Sequence, residues 1–205
     1  MTAFRLRSPW ARCAGRDAAG PTACSTLSIA FTIRDTALGL LLVAASERGI
    51  CHVRFGDDER ELAEALRHEL PAARLERDDQ RLAAWADALV RAAAGADDDL
   101  DLPLDVAGSR FQRRVWDALR AIPRGRTLHY QDVAAALGAP RATRAVARAC
   151  AANPVALAVP CHRVVPKSGG VGGYRYGAWR KQALLAGEAR EPARTSAVSA
   201  ASLRD

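Results

Sequence analysis

Three short apolar runs open the ordered pattern of this chain: SIAFTIR (28–34), GLLLVAA (39–45) and ICHVRF (50–55). Turn-forming DTALG and SERG separate them, and short β-rich runs punctuated in this way predict an antiparallel meander. Past Gly56 the period changes. ERELAEALRHEL (59–70) and DQRLAAWADALVRAAAG (79–95) repeat apolar residues at i, i+3, i+4, the spacing of amphipathic helices, and Gly95 stops the second. ADDDLDLPLDVAG (96–108) is acidic and proline-containing, and reads as a connector.

The remainder is helical in pattern. FQRRVWDALRAI (111–122) places Phe111, Val115, Trp116, Leu119 and Ile122 on one face before Pro123 and Gly125 end it. A short helix over YQDVAAAL (130–137), a break at Gly138-Ala139-Pro140, and a helix over RATRAVARACAAN (141–153) form the layout of a helix-turn-helix. Any αα-corner shares that layout, so the arginines decide. Arg141, Arg144 and Arg148 fall at i, i+3, i+7, on one stripe, and alanines at 142, 145, 147, 149, 151 and 152 keep the helix slim enough to approach a groove. The expected fold class is α/β. A small N-terminal α/β domain with a short antiparallel sheet, plus the acidic linker, covers 28–105; a mostly helical domain covers 106–190. Residues 1–27 and 191–205 are expected to be a disordered leader and tail.

Charge sharpens this division. Residues 56–105 carry 15 Asp/Glu against 6 Lys/Arg, whereas 106–190 carry 15 Lys/Arg against Asp117, Asp132 and Glu188 alone. A positive surface confined to one half suits phosphate binding, because each neutralised phosphate releases condensed counterions. An Arg-rich composition that biased every surface would not leave an acidic neighbour. With 49% apolar residues the chain can bury a core. No apolar run reaches the roughly 18–20 residues of a membrane span, and the start lacks the apolar stretch of a secretory signal; a cytoplasmic protein without membrane partners is expected.

Five cysteines without an export signal argue for reduced thiols rather than disulfides. Cys13 and Cys24 have the wrong spacing for a zinc cluster, so no metal is expected. Val159-Pro160-Cys161-His162-Arg163-Val164-Val165-Pro166 is the segment that carries candidate chemistry. Neighbours in a strand face opposite ways, but Pro160 favours a bend that would let the thiol and an imidazole converge, directly or through one water. A thiol of pKa near ~8.5 is mostly protonated at neutral pH and needs a base, and the base needs an orienting group. Glu188, at the end of a predicted helix WRKQALLAGE (179–188), is the candidate. On spacing alone, a buried structural cysteine fits Cys161 equally well.

VPCHRVV, preceded by Asn153-Pro154 and followed by GGYRYG and a Lys181…Leu184-Leu185…Glu188 pattern, resembles the O6-alkylguanine-DNA alkyltransferase (methylated-DNA–protein-cysteine methyltransferase) family, most of all the C-terminal active part of bacterial Ada proteins. The resemblance runs from about Phe31 to Glu188 and is strongest from Phe111 onward. It implies that Cys161 accepts an alkyl group, mainly methyl, from O6-alkylguanine and O4-alkylthymine in double-stranded DNA, once and without a cofactor. By the same resemblance His162 is the base acting through water, Glu188 holds it, Asn153 braces the turn after the recognition helix, and Tyr130 donates a hydrogen bond near N3 of the leaving guanine. Arg144 would fill the gap left by an everted base. Arg141, Ala142 and Arg148 would lie with it against the minor groove. Tyr174 would form the pocket wall, and backbone around Val164 and Arg175 would hold the guanine. Tyr176 stands where some relatives have glycine, and is expected to narrow the entrance against benzyl-sized groups. The 27-residue leader cannot contain the zinc and regulatory domains of full-length Ada proteins, so Ada-style transcriptional control is not expected. The partner is expected to be DNA alone, with the chain a monomer. The alternatives are a lesion sensor without transfer activity, whose known kind lacks the acceptor cysteine, and a methylation-responsive regulator, which would need a second DNA-reading domain.

Overall fold

The structure, a computed structural model, describes residues 27–96 and 100–190. The expectations for the leader before Leu27, for the tail and for Cys13 and Cys24 lie outside the described residues.

β1 (Ser28–Thr36), β2 (Gly39–Ala45) and β3 (Ile50–Gly56) form the expected meander. The pleat sends alternate residues of β2 to opposite faces, and both faces are covered. Leu42 and Ala44 join Ile29, Ile33, Leu62 and Leu66 on one side, whereas Leu41, Val43 and Ala45 join Val53, Phe55, Leu82 and Leu89 on the other. α1 (Glu59–Glu69) supplies Leu62 and Leu66, each worth roughly 2 kcal/mol when removed from water. Asp58 caps this helix by accepting from the Glu61 amide at 2.9 Å.

The sheet is not purely antiparallel. Arg74–Arg77 forms β4, which pairs in parallel with β1 and gives the order β3-β2-β1-β4. RLER carries one apolar residue and little burial, so hydrophobic alternation could not announce it. α2 (Ala83–Ala93) begins later than its pattern suggests, because the Asp78 side chain accepts from the Arg81 amide at 2.9 Å and holds a turn before it.

The second half contains α3 (Arg110–Arg120), β5 (Leu128–His129), α4 (Tyr130–Ala136), α5 (Thr143–Ala151), β6 (Val164–Val165) and α6 (Ala178–Arg190). A Ser109–Gln112 capping box starts α3, and the buried Trp116 indole donates to the Ala149 carbonyl at 2.9 Å, fixing α3 against α5. α4 and α5 are joined through Gly138, at φ +70°, and a 3-10 turn over Pro140–Ala142. Arg141 therefore sits in that turn rather than on the α5 stripe with Arg144 and Arg148. Among the described residues no helix is long and apolar enough to cross a membrane.

The two halves share one core. Val53 is the main backbone junction. Its amide donates to Pro154 at 2.8 Å, and its carbonyl accepts from Ala156 at 3.0 Å, so β3 is bridged to the stretch that follows α5.

Candidate active site

The chain leaves α5 at Ala151 and reaches Cys161 through a tight, internally bonded stretch. Asn153, buried, donates from Nδ2 to the Val159 carbonyl at 2.8 Å and accepts the Val155 amide at 3.1 Å on Oδ1. A side-chain amide can do both at once, whereas an ionised carboxylate in its place could not donate to the Val159 carbonyl. Leu157 inside the loop has φ +67°, the one non-glycine positive φ among the described residues; that conformation costs roughly 1–2 kcal/mol.

Cys161 opens a 3-10 turn, Cys161–Arg163, whose amide bonds draw the chain back on itself. Its Sγ accepts from Asn153 Nδ2 at 3.3 Å. Burial pushes the thiol pKa up; the Asn153 hydrogen bond and the nearby Lys181 ammonium pull the other way. The sulfur lines a cavity of about 320 Å³ together with Tyr130, Ala147, Cys150, Ala151, Asn153, Gly173, Tyr174, Arg175 and Tyr176. Ala147 and Ala151 belong to α5, the helix that carries exposed Arg144 and Arg148. The cavity therefore borders the basic helix.

His162 faces elsewhere. It lines a separate, smaller cavity of about 110 Å³ with Glu188, Arg163, Arg120 and Arg124. His162 Nε2 lies 2.8 Å from Glu188 Oε1. An ionised carboxylate only accepts, so Nε2 carries the proton and Nδ1 holds the free lone pair. That buried Nδ1 has no protein partner, which leaves its lone pair free to accept a proton. Sγ and the imidazole make no direct hydrogen bond among the described contacts, so proton transfer between them needs a bridging molecule such as water.

Burial lowers the His162 pKa, against the opposing pull of Glu188, and keeps the ring neutral. Burial pushes Glu188 up, but hydrogen bonds from His162 and Arg163 and their charges outweigh it and bring the carboxyl down to about 2. Arg163 grips Glu188 from Nη2 at 2.9 Å and Nε at 3.1 Å, and donates from Nη1 to the Ile122 carbonyl at 2.6 Å. A carboxyl depressed in the folded state stabilises fully above its unfolded value near 4.5, and that contribution drains away as pH falls toward 2. Glu69 is also held at about 2, by the His52 hydrogen bond and the Arg54 and Arg175 charges, against partial burial. Thermal midpoints should therefore fall steeply between about pH 4.5 and 2, with Glu188 alone accounting for a loss on the order of 3 kcal/mol. A flat profile over that window would contradict the pairing.

Tyr130, half-buried, and Tyr174 face the sulfur across the cavity. Burial raises both phenol pKa values, helped by Cys150 and Cys161 at Tyr130 and by Cys161 and Tyr176 at Tyr174, so both stay protonated and can donate. The Tyr174 hydroxyl is buried without a partner. Tyr176 is more enclosed than a rim residue: its ring packs edge-on against Phe55 and Tyr174, and its hydroxyl donates to the Val53 carbonyl at 3.3 Å. Val164 is fully buried and is not part of the cavity lining; its carbonyl accepts from Lys181 Nζ at 2.7 Å.

Lys181 is the residue that sequence reasoning left without a role. It is 1% exposed, and its ammonium acts on both Cys161 and Cys150. The signal was its place seven residues before Glu188, two turns along one inward face of α6 around buried Leu184. Among the described residues no cluster of His, Cys, Asp or Glu could hold a metal ion.

Residues 110–190 match the family described as 6-O-methylguanine DNA methyltransferase, DNA binding domain, and residues 29–106 match its ribonuclease-like domain. The bifunctional transcriptional activator/DNA repair enzyme Ada of Escherichia coli is 45% identical over 168 residues, covering 82% of this chain but 48% of Ada. This chain thus spans about half the length of that relative. A methylated-DNA–protein-cysteine methyltransferase of Mycolicibacterium paratuberculosis is 40% identical over 162 residues, covering 79% of this chain and 93% of the relative. Among solved structures, the Mycobacterium tuberculosis O6-methylguanine methyltransferase superposes with a TM-score of 0.68 at 35% identity, covering 80% of this chain and 96% of the other. Its counterpart solved in complex with DNA gives 0.67 at 34% identity, covering 82% and 96%.

Proposed function

Because this chain belongs to the 6-O-methylguanine DNA methyltransferase family, we propose that it repairs DNA by moving the alkyl group of O6-alkylguanine, and of O4-alkylthymine, onto Cys161 in a single turnover. The observation that carries this reading is the shared cavity: one wall holds the Cys161 sulfur, another holds Tyr130 and Tyr174, and a third is the underside of the arginine-bearing helix α5. A pocket of a few hundred Å³ with few polar groups suits a single flat ligand.

The O6 substituent of a stacked base is shielded, so in-line attack requires that the nucleotide leave the duplex, at a cost of a few kcal/mol that a poorly paired alkylated base reduces. Arg144 fills the vacated space, while Arg141 and Arg148 bind the backbone beside it and Ala142 allows close approach. The Cys161 proton passes through water to His162 Nδ1, and Glu188 stabilises the imidazolium through Nε2–H. The thiolate then attacks the alkyl carbon: the S–C bond forms, the C–O6 bond breaks, and its electron pair goes to the purine. Tyr130 donates a hydrogen bond to guanine N3 as that charge develops. Residues 106–190 act here as the DNA-binding and transfer domain, and 28–105 as the supporting one. A thioether offers no ready route to hydrolysis, so each molecule reacts once.

Intact mass spectrometry tests this. After incubation with duplex DNA carrying O6-methylguanine, the protein should gain the mass of one CH2, a methyl group in place of the thiol hydrogen, and the Cys161→Ala protein none. A lesion sensor would bind the duplex and gain no mass, and that result would overturn the proposal.

A further inference from the structure

The outer wall of the Cys161 cavity is the segment Gly173–Tyr176, and little in its own backbone fixes it. Gly169, Gly170, Gly172 and Gly177 all adopt positive φ around it, a stretch with low intrinsic stiffness. Apart from the Arg180 Nη1 bond to the Tyr176 carbonyl at 2.8 Å, its side-chain anchors come from the other half of the molecule. The Arg175 side chain, which the sequence suggested only for its backbone, reaches across to α1 and donates from Nη2 to Glu69 Oε1 at 2.5 Å. Glu69 is itself aimed by β3: Arg54 Nη1 lies 3.2 Å from Oε1, and His52 Nε2 lies 3.2 Å from Oε2. Three basic groups converge on one carboxylate that is about a quarter exposed. On the far side of the loop, buried Arg180 donates to the Leu38 carbonyl at 2.7 Å and pairs with Asp57.

We propose that Glu69 is a positioning residue for the alkylguanine pocket, latching the substrate loop to the N-terminal sheet through Arg175. This rests on the function proposed above. Glu69 lines a different cavity from Cys161 and touches neither the sulfur nor His162, so it acts on how well the pocket is formed and not on the transfer step. An unlatched glycine-rich loop is bound productively for only a fraction of the time, and apparent affinity falls by that fraction.

The test is the reaction with free O6-methylguanine, a base without phosphates whose methyl group is small enough for the Tyr176-walled pocket, followed by intact mass across a concentration series. This separates the loop from any contact Arg175 makes with a DNA backbone. Glu69→Gln should raise the half-saturating concentration about tenfold and leave the limiting rate within about twofold of wild type. Arg175→Gln should raise the half-saturating concentration by a similar factor. The double variant should be no worse than either single one, because both remove the same contact. Multiplying effects in the double variant would overturn the latch, as would a Glu69→Gln protein that is thermally weakened but kinetically unchanged. A fall in limiting rate alone would also overturn it. Arg175 is exposed, so its variant keeps the test intact should Glu69→Gln fold poorly. Wild type that gains no mass from methylated duplex defeats the functional reading itself; wild type that reacts beside variants that match it defeats only the latch.

Discussion

Replacing Glu188 with Gln should slow methyl transfer from duplex DNA by about a hundredfold, within the range general-base assistance supplies, with DNA affinity nearly unchanged. The amide oxygen can still accept from His162 Nε2–H, so the ring keeps its tautomer. What is lost is the charge. The imidazolium formed when Nδ1 takes the proton would have no anion against it, in a site where burial already disfavours that cation. Arg163 would lose the partner it contacts through Nε and Nη2, and a buried ion left unpaired costs about 3–5 kcal/mol. A lower melting midpoint should accompany the slower rate. Single-turnover kinetics on an O6-methylguanine duplex, at a temperature where the variant remains folded, measures the first effect. A rate within twofold of wild type would show that Glu188 is only a structural counterion for Arg163.

Much of this arrangement was legible before any coordinates. Strands β1 to β3 follow from short apolar runs between turn signals because both faces of the sheet are buried, and α3 follows from the spacing of Val115, Trp116 and Leu119, all of which reach the core. β4 and the β5–β6 pair were not legible, for a physical reason: two to four residues with few buried side chains leave no period to read, and their pairing depends on what lies beside them. The resemblance named Cys161, His162 and Glu188, and the 2.8 Å contact between the last two fits the part it suggested. It could not say that the thiol and the imidazole line different cavities, since that depends on how the 3-10 turn Cys161–Arg163 winds. Arg175 and Tyr176 were read as pocket residues alone. Their partners, Glu69 and Val53, are more than a hundred residues away in the chain, and one sequence contains no record of such a pairing.

Lys181→Met should shift the pH dependence of alkyl transfer to higher pH and lower the rate near neutrality by about tenfold. The ammonium is buried and is one of two side chains that oppose the upward push of burial on the Cys161 thiol, Asn153 being the other. Near neutrality a protonated thiol is the resting form, so the reactive fraction falls about tenfold for each unit the thiol rises, which is 1.36 kcal/mol. Met keeps the length and apolar stem of the side chain and so separates charge from packing. It also leaves the Val164 carbonyl without its Nζ donor. Val164 pairs with Leu128 in β5, two residues before Tyr130, so some loosening of that wall should lower the limiting rate at every pH. The two effects are distinguishable because only the electrostatic one moves the midpoint of the profile. Arg at this position should restore the charge but not the fit, since a guanidinium is broader than an ammonium and the site is closed. Rates measured from about pH 6 to 10 on methylated duplex would decide it: a midpoint that stays at the wild-type pH in Lys181→Met would mean that the cation holds the Val164 carbonyl and has no hold on the sulfur.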